Sequence, residues 1–173
     1  MTRHARLLVL AAALVACGEK KVEDPRVEFS DVGFTLVLPL TMQHALDSLA
    51  PGLRMVRPYE YRADVREAAA EGGAHQALFA AVGDFDGDGK QDAVVEGAKP
   101  GETALIVIAI MNGAKPRAVE VARFPEYDAS AVGVYLSRPV RPMPGAFEVV
   151  NYPDASTLYF YRDGAFEGVK TGG

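Results

Sequence analysis

Nine consecutive residues, Thr103–Met111 (TALIVIAIM), are apolar at both odd and even positions after the opening threonine. Successive side chains of a strand point to opposite faces, so a strand with this pattern needs cover on both sides. It belongs in the middle of a sheet rather than at an edge. The segments around it are strand-like runs punctuated by Gly, Pro and Asp: Ala77–Val82, Ala93–Glu96, Ala118–Phe124, Val132–Ser137, Ala146–Asn151, Thr157–Tyr161 and Ala165–Val169. Connections of a few residues join antiparallel neighbours, because parallel ones need long crossovers. Arg162-Asp163-Gly164-Ala165 marks a tight turn between two such runs.

Upstream, Val27–Leu38 reads as one extended apolar segment interrupted near Asp31 and Gly33. In Thr41–Ala50, residues Met42, Ala45, Leu46 and Leu49 follow the i, i+3, i+4, i+7 spacing of one helix face, and Pro51-Gly52 ends it. Asp64–Glu71 is a second, weaker helix, closed by Gly72-Gly73. The expected fold is mainly β (α+β): an antiparallel sheet of six to eight strands, with one or two short N-terminal helices covering a face. The chain has 173 residues, enough for one globular domain, here expected over residues 26–173.

The densest chemistry lies in Asp84–Asp92, DFDGDGKQD, inside a hairpin expected over residues 77–96. Four carboxylates occupy relative positions 1, 3, 5 and 9, and Lys90 is the one internal counter-charge. Such crowding is repulsive unless a cation is present. Alternating Asp side chains can converge on a hard cation, Gly89 at position 6 permits the sharp turn, and Lys90 at position 7 offers its backbone carbonyl. Oxygen ligands on a flexible loop suit Ca²⁺, whereas Mg²⁺ prefers a tight octahedron and keeps its waters.

A metal-free Asp-Gly turn does not need four aspartates in this register. An EF-hand shares D-x-D-x-D-G, but its position 12 should be a bidentate Glu; here it is Val95, with Glu96 one residue beyond, and the flanks read as strands. A haloacid-dehalogenase-type phosphatase would use Asp84 as nucleophile and Asp86 as acid, but Asp88 stands where Thr belongs and the βαβ crossovers are missing.

The stretch Val82–Val95 resembles the calcium loop of FG-GAP/VCBS repeats, which lies between two strands of a β-propeller blade. The resemblance implies Ca²⁺ held by Asp84, Asp86, Asp88, Asp92 and the Lys90 backbone. It covers one loop only. No second copy follows, and a propeller needs at least four four-stranded blades, so a full propeller is not expected.

The N-terminus, MTRHARLLVLAAALVAC, has Arg3 and Arg6 followed by a ten-residue apolar run from Leu7 to Ala16. That run is too short to span a bilayer as a helix, which takes about 20 residues; a basic start, short apolar core and small residues describe an export signal over residues 1–16. Leu14-Val15-Ala16-Cys17 resembles the lipobox of bacterial lipoproteins. The resemblance implies cleavage before Cys17 and acylation there, with residues 17–25 as lipidated cysteine and tether. Two or three acyl chains at about 0.8 kcal/mol per buried CH₂ make retention stable. Gly18 rather than Asp after the cysteine points to the outer membrane or the periplasmic face of the cell envelope instead of inner-membrane retention.

Cys17 is the single cysteine, so an internal disulfide is excluded and thiol catalysis has no residue left to use. Loss of residues 1–16 removes two of 18 basic residues and none of 23 acids, taking the net charge from −5 to −7. An acidic chain of this kind is no nucleic-acid binder. Its expected partners are the membrane, through the lipid, and an envelope protein or glycan.

His44, Asp47 and Ser48 share the polar face of the first helix and read as solvated. His75 lies in a loop without metal-ligand spacing, Arg138 and Arg141 flank prolines, and Tyr159, Phe160 and Tyr161 alternate across a strand as packing residues. The expected function is that of a non-enzymatic, membrane-anchored envelope lipoprotein binding one structural Ca²⁺. Alternatives are an envelope adaptor or adhesion module and, further off, a metal-dependent hydrolase.

Overall fold

The computed structural model describes residues 24–172 apart from 32, 72–76, 127, 129, 138–142 and 154. Residues 1–16, Cys17, most of the tether, His75, Arg138 and Arg141 lie outside the described residues. No helix among the described residues is long and apolar enough to cross a membrane.

The described residues open with an antiparallel hairpin, β1 (Arg26–Ser30) and β2 (Gly33–Val37), which among them forms a two-stranded sheet of its own. The interruption expected near Gly33 is its turn, where Gly33 has φ 113°, a conformation open to glycine. Helix α1 (Leu40–Leu49) buries Met42 and Leu46. Then come β3 (Arg54–Met55), a single 3₁₀ turn at Pro58–Glu60 and helix α2 (Ala63–Glu71). Four strands form a meander: β4 (Ala80–Gly83), β5 (Asp92–Ala98), β6 (Leu105–Met111) and β7 (Arg117–Phe124). Four more form a second one: β8 (Val134–Ser137), β9 (Ala146–Asn151), β10 (Ala155–Arg162) and β11 (Ala165–Gly172).

Among the described residues the fold is mainly β and antiparallel, with two short helices and no propeller. The strands are not gathered into one sheet. They divide into the two-stranded hairpin, a five-stranded sheet ordered β3-β5-β6-β7 with β4 also on β5, and a four-stranded sheet ordered β11-β10-β9-β8. The division follows from burial. Both β5 and β6 are buried along their whole length, so apolar material must lie on each face of this pair.

Helix α1 packs against β6 and β7, and β8 packs against β4 and β5. Helix α2 does not join α1 on that sheet; its Ala69 and Ala70 face Leu78 and Phe79 across a small cavity. At roughly 1.5–3 kcal/mol per buried Val, Leu or Ile, β6 alone is a major part of the core. Leu105, Ile106, Val107, Ile108 and Ile110 are each at most 2% exposed.

Backbone contacts help to join the sheets. The Leu136 N–H donates to the Leu78 carbonyl at 2.7 Å, and Tyr61 forms a parallel bridge with Val132. Short β3 fits against β5 because Gly97 has no side chain there; a Cβ would lie 2.5 Å from the Arg54 carbonyl oxygen. Buried Glu60 ties β3 to the following turn, its two oxygens taking Arg54 Nη1 at 2.5 Å and the Arg57 N–H at 2.8 Å.

Candidate metal centre

Gly83 and Asp92 are paired residues of β4 and β5, so the acidic loop closes a hairpin flanked by strands. The loop is wound by its own carboxylates. Asp84 accepts the N–H of Gly87 at 2.8 Å on Oδ1 and that of Gly89 at 3.0 Å on Oδ2. Asp86 Oδ1 accepts the Asp88 N–H at 3.1 Å, and Asp88 Oδ1 accepts the Lys90 N–H at 2.9 Å. The Asp86 and Asp88 bonds are Asx turns, in which a short acidic side chain replaces a backbone acceptor two residues back, and Asp84 spans the loop more widely. Gly87 and Gly89 have φ of 78° and 86°, the left-handed values such tight winding requires.

The winding turns three side chains toward one point. Asp84, Asp86 and Asp88 each offer an oxygen within 4.8 Å of the other two, and the group can hold a metal ion. Asp84 and Asp86 are half-buried and Asp88 is exposed. The Lys90 ammonium, 3.6 Å from Asp88 Oδ2, balances one of the three charges. Three hard carboxylate oxygens, partly shielded and under-neutralised, form a donor set that fits a hard divalent cation.

Asp92 is placed differently. It is fully buried at the start of β5 and lies outside the converging group of three. Its Oδ2 accepts the Phe85 N–H at 2.9 Å, and its Oδ1 accepts the Asn112 N–H at 2.7 Å. Burial pushes its carboxyl up to about 6, against the lowering effect of those two N–H donors. Asp92 therefore clips the beginning of the loop to the end of β6. Each of its oxygens keeps a further lone pair.

Phe85 secures the loop from below. Its ring is 6% exposed and meets Phe147 of β9 edge-on at 5.3 Å, while Phe147 stacks on Tyr159 of β10 at 5.5 Å. The loop is thus seated on the four-stranded sheet as well as carried by the five-stranded one. Phe85 and Asn112 were not among the sequence-derived site residues. An Asn closing an apolar strand is the signal for the second, whose amide is buried with neither polar atom hydrogen-bonded.

The other candidates stay apart from this centre. On α1, Gln43 Nε2 donates to Asp47 at 2.9 Å and the Ser48 hydroxyl to the His44 carbonyl at 2.7 Å, all of them exposed. This is a solvated helix face. Tyr161 packs edge-on to Phe166 at 5.2 Å and receives a hydrogen bond from Arg117. A buried polar pair that sequence reasoning missed sits farther along β5: the Tyr61 hydroxyl donates to Glu96 Oε1, and Glu96 Oε2 has no partner. Glu96 is flanked in sequence by apolar residues on a fully buried strand, which is the signal that could have found it.

No protein-family model, curated protein or solved structure matches the chain.

Proposed function

We propose that this protein is a non-enzymatic, lipid-anchored component of the bacterial cell envelope whose acidic loop binds one structural Ca²⁺. The observation that carries the metal reading is the convergence of Asp84, Asp86 and Asp88, three carboxylates held in place by the loop's own N–H groups. In this reading the Lys90 carbonyl and Asp92 complete the oxygen shell, since Asp92 retains free lone pairs. The ion supplies charge neutralisation and pins the β4–β5 hairpin; the loop performs no chemistry on a substrate. Anchoring through Cys17 follows from the basic start, the short apolar run and the Leu14–Cys17 motif.

Thermal unfolding in Ca²⁺, Mg²⁺ and chelator tests the metal. Extracellular modules bind Ca²⁺ at about 10⁻⁴–10⁻³ M. A concentration ten to a hundred times that constant stabilises the native state by about 1.4–2.7 kcal/mol, which raises Tm by about 3–10 °C in a domain of this size. Asp86→Ala and Asp88→Ala remove the shift. An unchanged Tm with Ca²⁺ raised to about 100 mM, a hundred times the weaker of these constants, at ionic strength held constant, rejects the assignment. Cys17→Ser abolishes lipid labelling and membrane retention; a Cys17→Ser protein still found with membranes rejects the anchor.

The outer face of the four-stranded sheet favours a second reading, an envelope adaptor. Register places Tyr135, Val150, Leu158 and Phe160 on one face with Val169, which is 50% exposed. An envelope protein or glycan docking there would be lost on Val169→Asp. A cross-linking pattern in cells identical for parent and variant would rule it out.

A further inference from the structure

The turn end of the β1–β2 hairpin carries an exposed aromatic ridge. Phe29 is 76% exposed, and its ring centroid lies 5.1 Å from that of Phe34 on the paired strand. The ridge continues onto the 3₁₀ turn, since a Cβ on Gly33 would stand 3.8 Å from Pro58 and the next residue, Tyr59, is 66% exposed. The Arg57 guanidinium lies 5.9 Å above the Tyr59 ring and donates to its hydroxyl at 2.6 Å.

The surroundings are balanced in charge. Arg26 pairs with Glu28 at 2.7 Å, and exposed Asp31 and Arg57 add one charge of each sign. Val27, Phe34 and Leu36 pack the hairpin against the core, and a cavity of about 440 Å³ beside it is bounded by Val27, Phe29, Ala81 and Leu136.

We infer that this ridge seats on the phospholipid surface and gives the protein a second, orienting membrane contact. The inference rests on the reading of Cys17 as the lipid anchor. Only eight residues lie between Cys17 and Arg26, so an extended link holds β1 within about 30 Å of the bilayer. Phenylalanine and tyrosine rings with an arginine beside them are the chemistry favoured at the lipid–water boundary. Because Arg26, Arg57, Glu28 and Asp31 cancel, the contact is made by ring insertion rather than by attraction to anionic headgroups, and it does not depend on the fraction of anionic lipid.

The test uses the lipidated protein carrying Ser30→Cys, an exposed position whose replacement leaves the charge balance of the ridge unchanged. Acylation consumes the Cys17 thiol, which leaves a single free thiol for an environment-sensitive fluorophore. The protein is placed in phosphatidylcholine vesicles, with and without phosphatidylglycerol, containing a lipid with a nitroxide near its headgroup. The expected result is several-fold quenching, equal in both lipid mixtures, that Phe29→Ser with Tyr59→Ser returns to the level of free fluorophore. Both positions are exposed, so an unchanged Tm verifies that this variant is folded.

Quenching that survives the double substitution means a passive tether and overturns the contact. A label shielded without quenching, on a protein that sediments as a dimer, gives the ridge to a second copy of the chain and also overturns it. Two titratable thiols instead of one show Cys17 unmodified, and then the anchor reading falls and this inference with it.

Discussion

Replacing Glu96 tests the electrostatics of the core directly. Glu96 is fully buried on β5; one oxygen accepts the Tyr61 hydroxyl and the other has no partner. Burial raises its pKa well above the ordinary carboxyl range, and the Tyr61 hydrogen bond works against that rise. The native state therefore favours the protonated acid, while the unfolded chain ionises near the usual value of about 4.3.

As pH climbs through that value, the unfolded chain releases a proton that the native state retains, and stability falls. The limiting slope is about 1.4 kcal/mol per pH unit, and it fades once the native carboxyl itself ionises. Glu96→Gln keeps the shape, accepts the same hydroxyl and abolishes the titration. Its unpartnered amide costs about 1–3 kcal/mol at acid pH. Above the unfolded pKa it then gains on the parent by up to about 1.4 kcal/mol per pH unit.

Tyr61→Phe acts with the opposite sign. It removes the donor that holds the pKa down, so this variant falls further behind the parent as pH rises. Urea unfolding followed by circular dichroism, in chelator and at a series of pH values, gives both difference curves. The rise of Asp92 to about 6 is common to all three proteins and largely cancels. Difference curves flat in pH for both variants would refute a buried, titrating Glu96.

Two further substitutions probe the backbone. Gly97→Ala sets a methyl group against the Arg54 carbonyl and is expected to cost about 1–3 kcal/mol with loss of β3 pairing; an unchanged urea midpoint contradicts the close approach. Gly89→Ala meets no atom within 4 Å but keeps φ near 86°. Its cost of about 1–2 kcal/mol is conformational, so Gly89→Asn, which tolerates that region, should recover part of it in the same assay, and equal losses would argue against the left-handed turn.

Legibility in the sequence followed local chemistry. The doubly apolar Thr103–Met111 run reads as a central strand and becomes β6, and the Met42–Leu49 periodicity becomes α1. Strand β4 starts at Ala80 rather than Ala77, and β11 runs on to Gly172 rather than ending at Val169. Ala77–Phe79 is as apolar as a strand but turns before β4, and polar Lys170–Gly172 extends β11 because it pairs with Thr157 and Ser156. Two-residue β3 and the Pro58–Glu60 turn were not legible, because they are held by Gly97 and Glu60, whose partners are fixed only in three dimensions. The split into separate sheets was hidden for the same reason: alternation shows which residues need cover, not which element supplies it.

At the candidate site, the spacing of Asp84, Asp86 and Asp88 was sufficient to bring them together. The second attachment of Asp92 was not, because its partner Asn112 arrives through the β5–β6 register. Glu96 is the inverse case, a charged residue whose burial depends on Tyr61 reaching it from outside its own hairpin.

The pairing order also bears on how the chain reaches this state. In both larger sheets every ladder except β3–β5 joins strands adjacent along the chain. Short loop closures are cheap in entropy, and domains rich in local contacts fold fast. Each meander can therefore zip from its own turns before the other is complete. The expensive closures are those that span the chain, among them β3 onto β5, Leu136 onto Leu78 and Tyr61 onto Val132. Joining the finished halves is then expected to be the slow event, and until it occurs Phe85 lacks the ring of Phe147 that covers it in the native core.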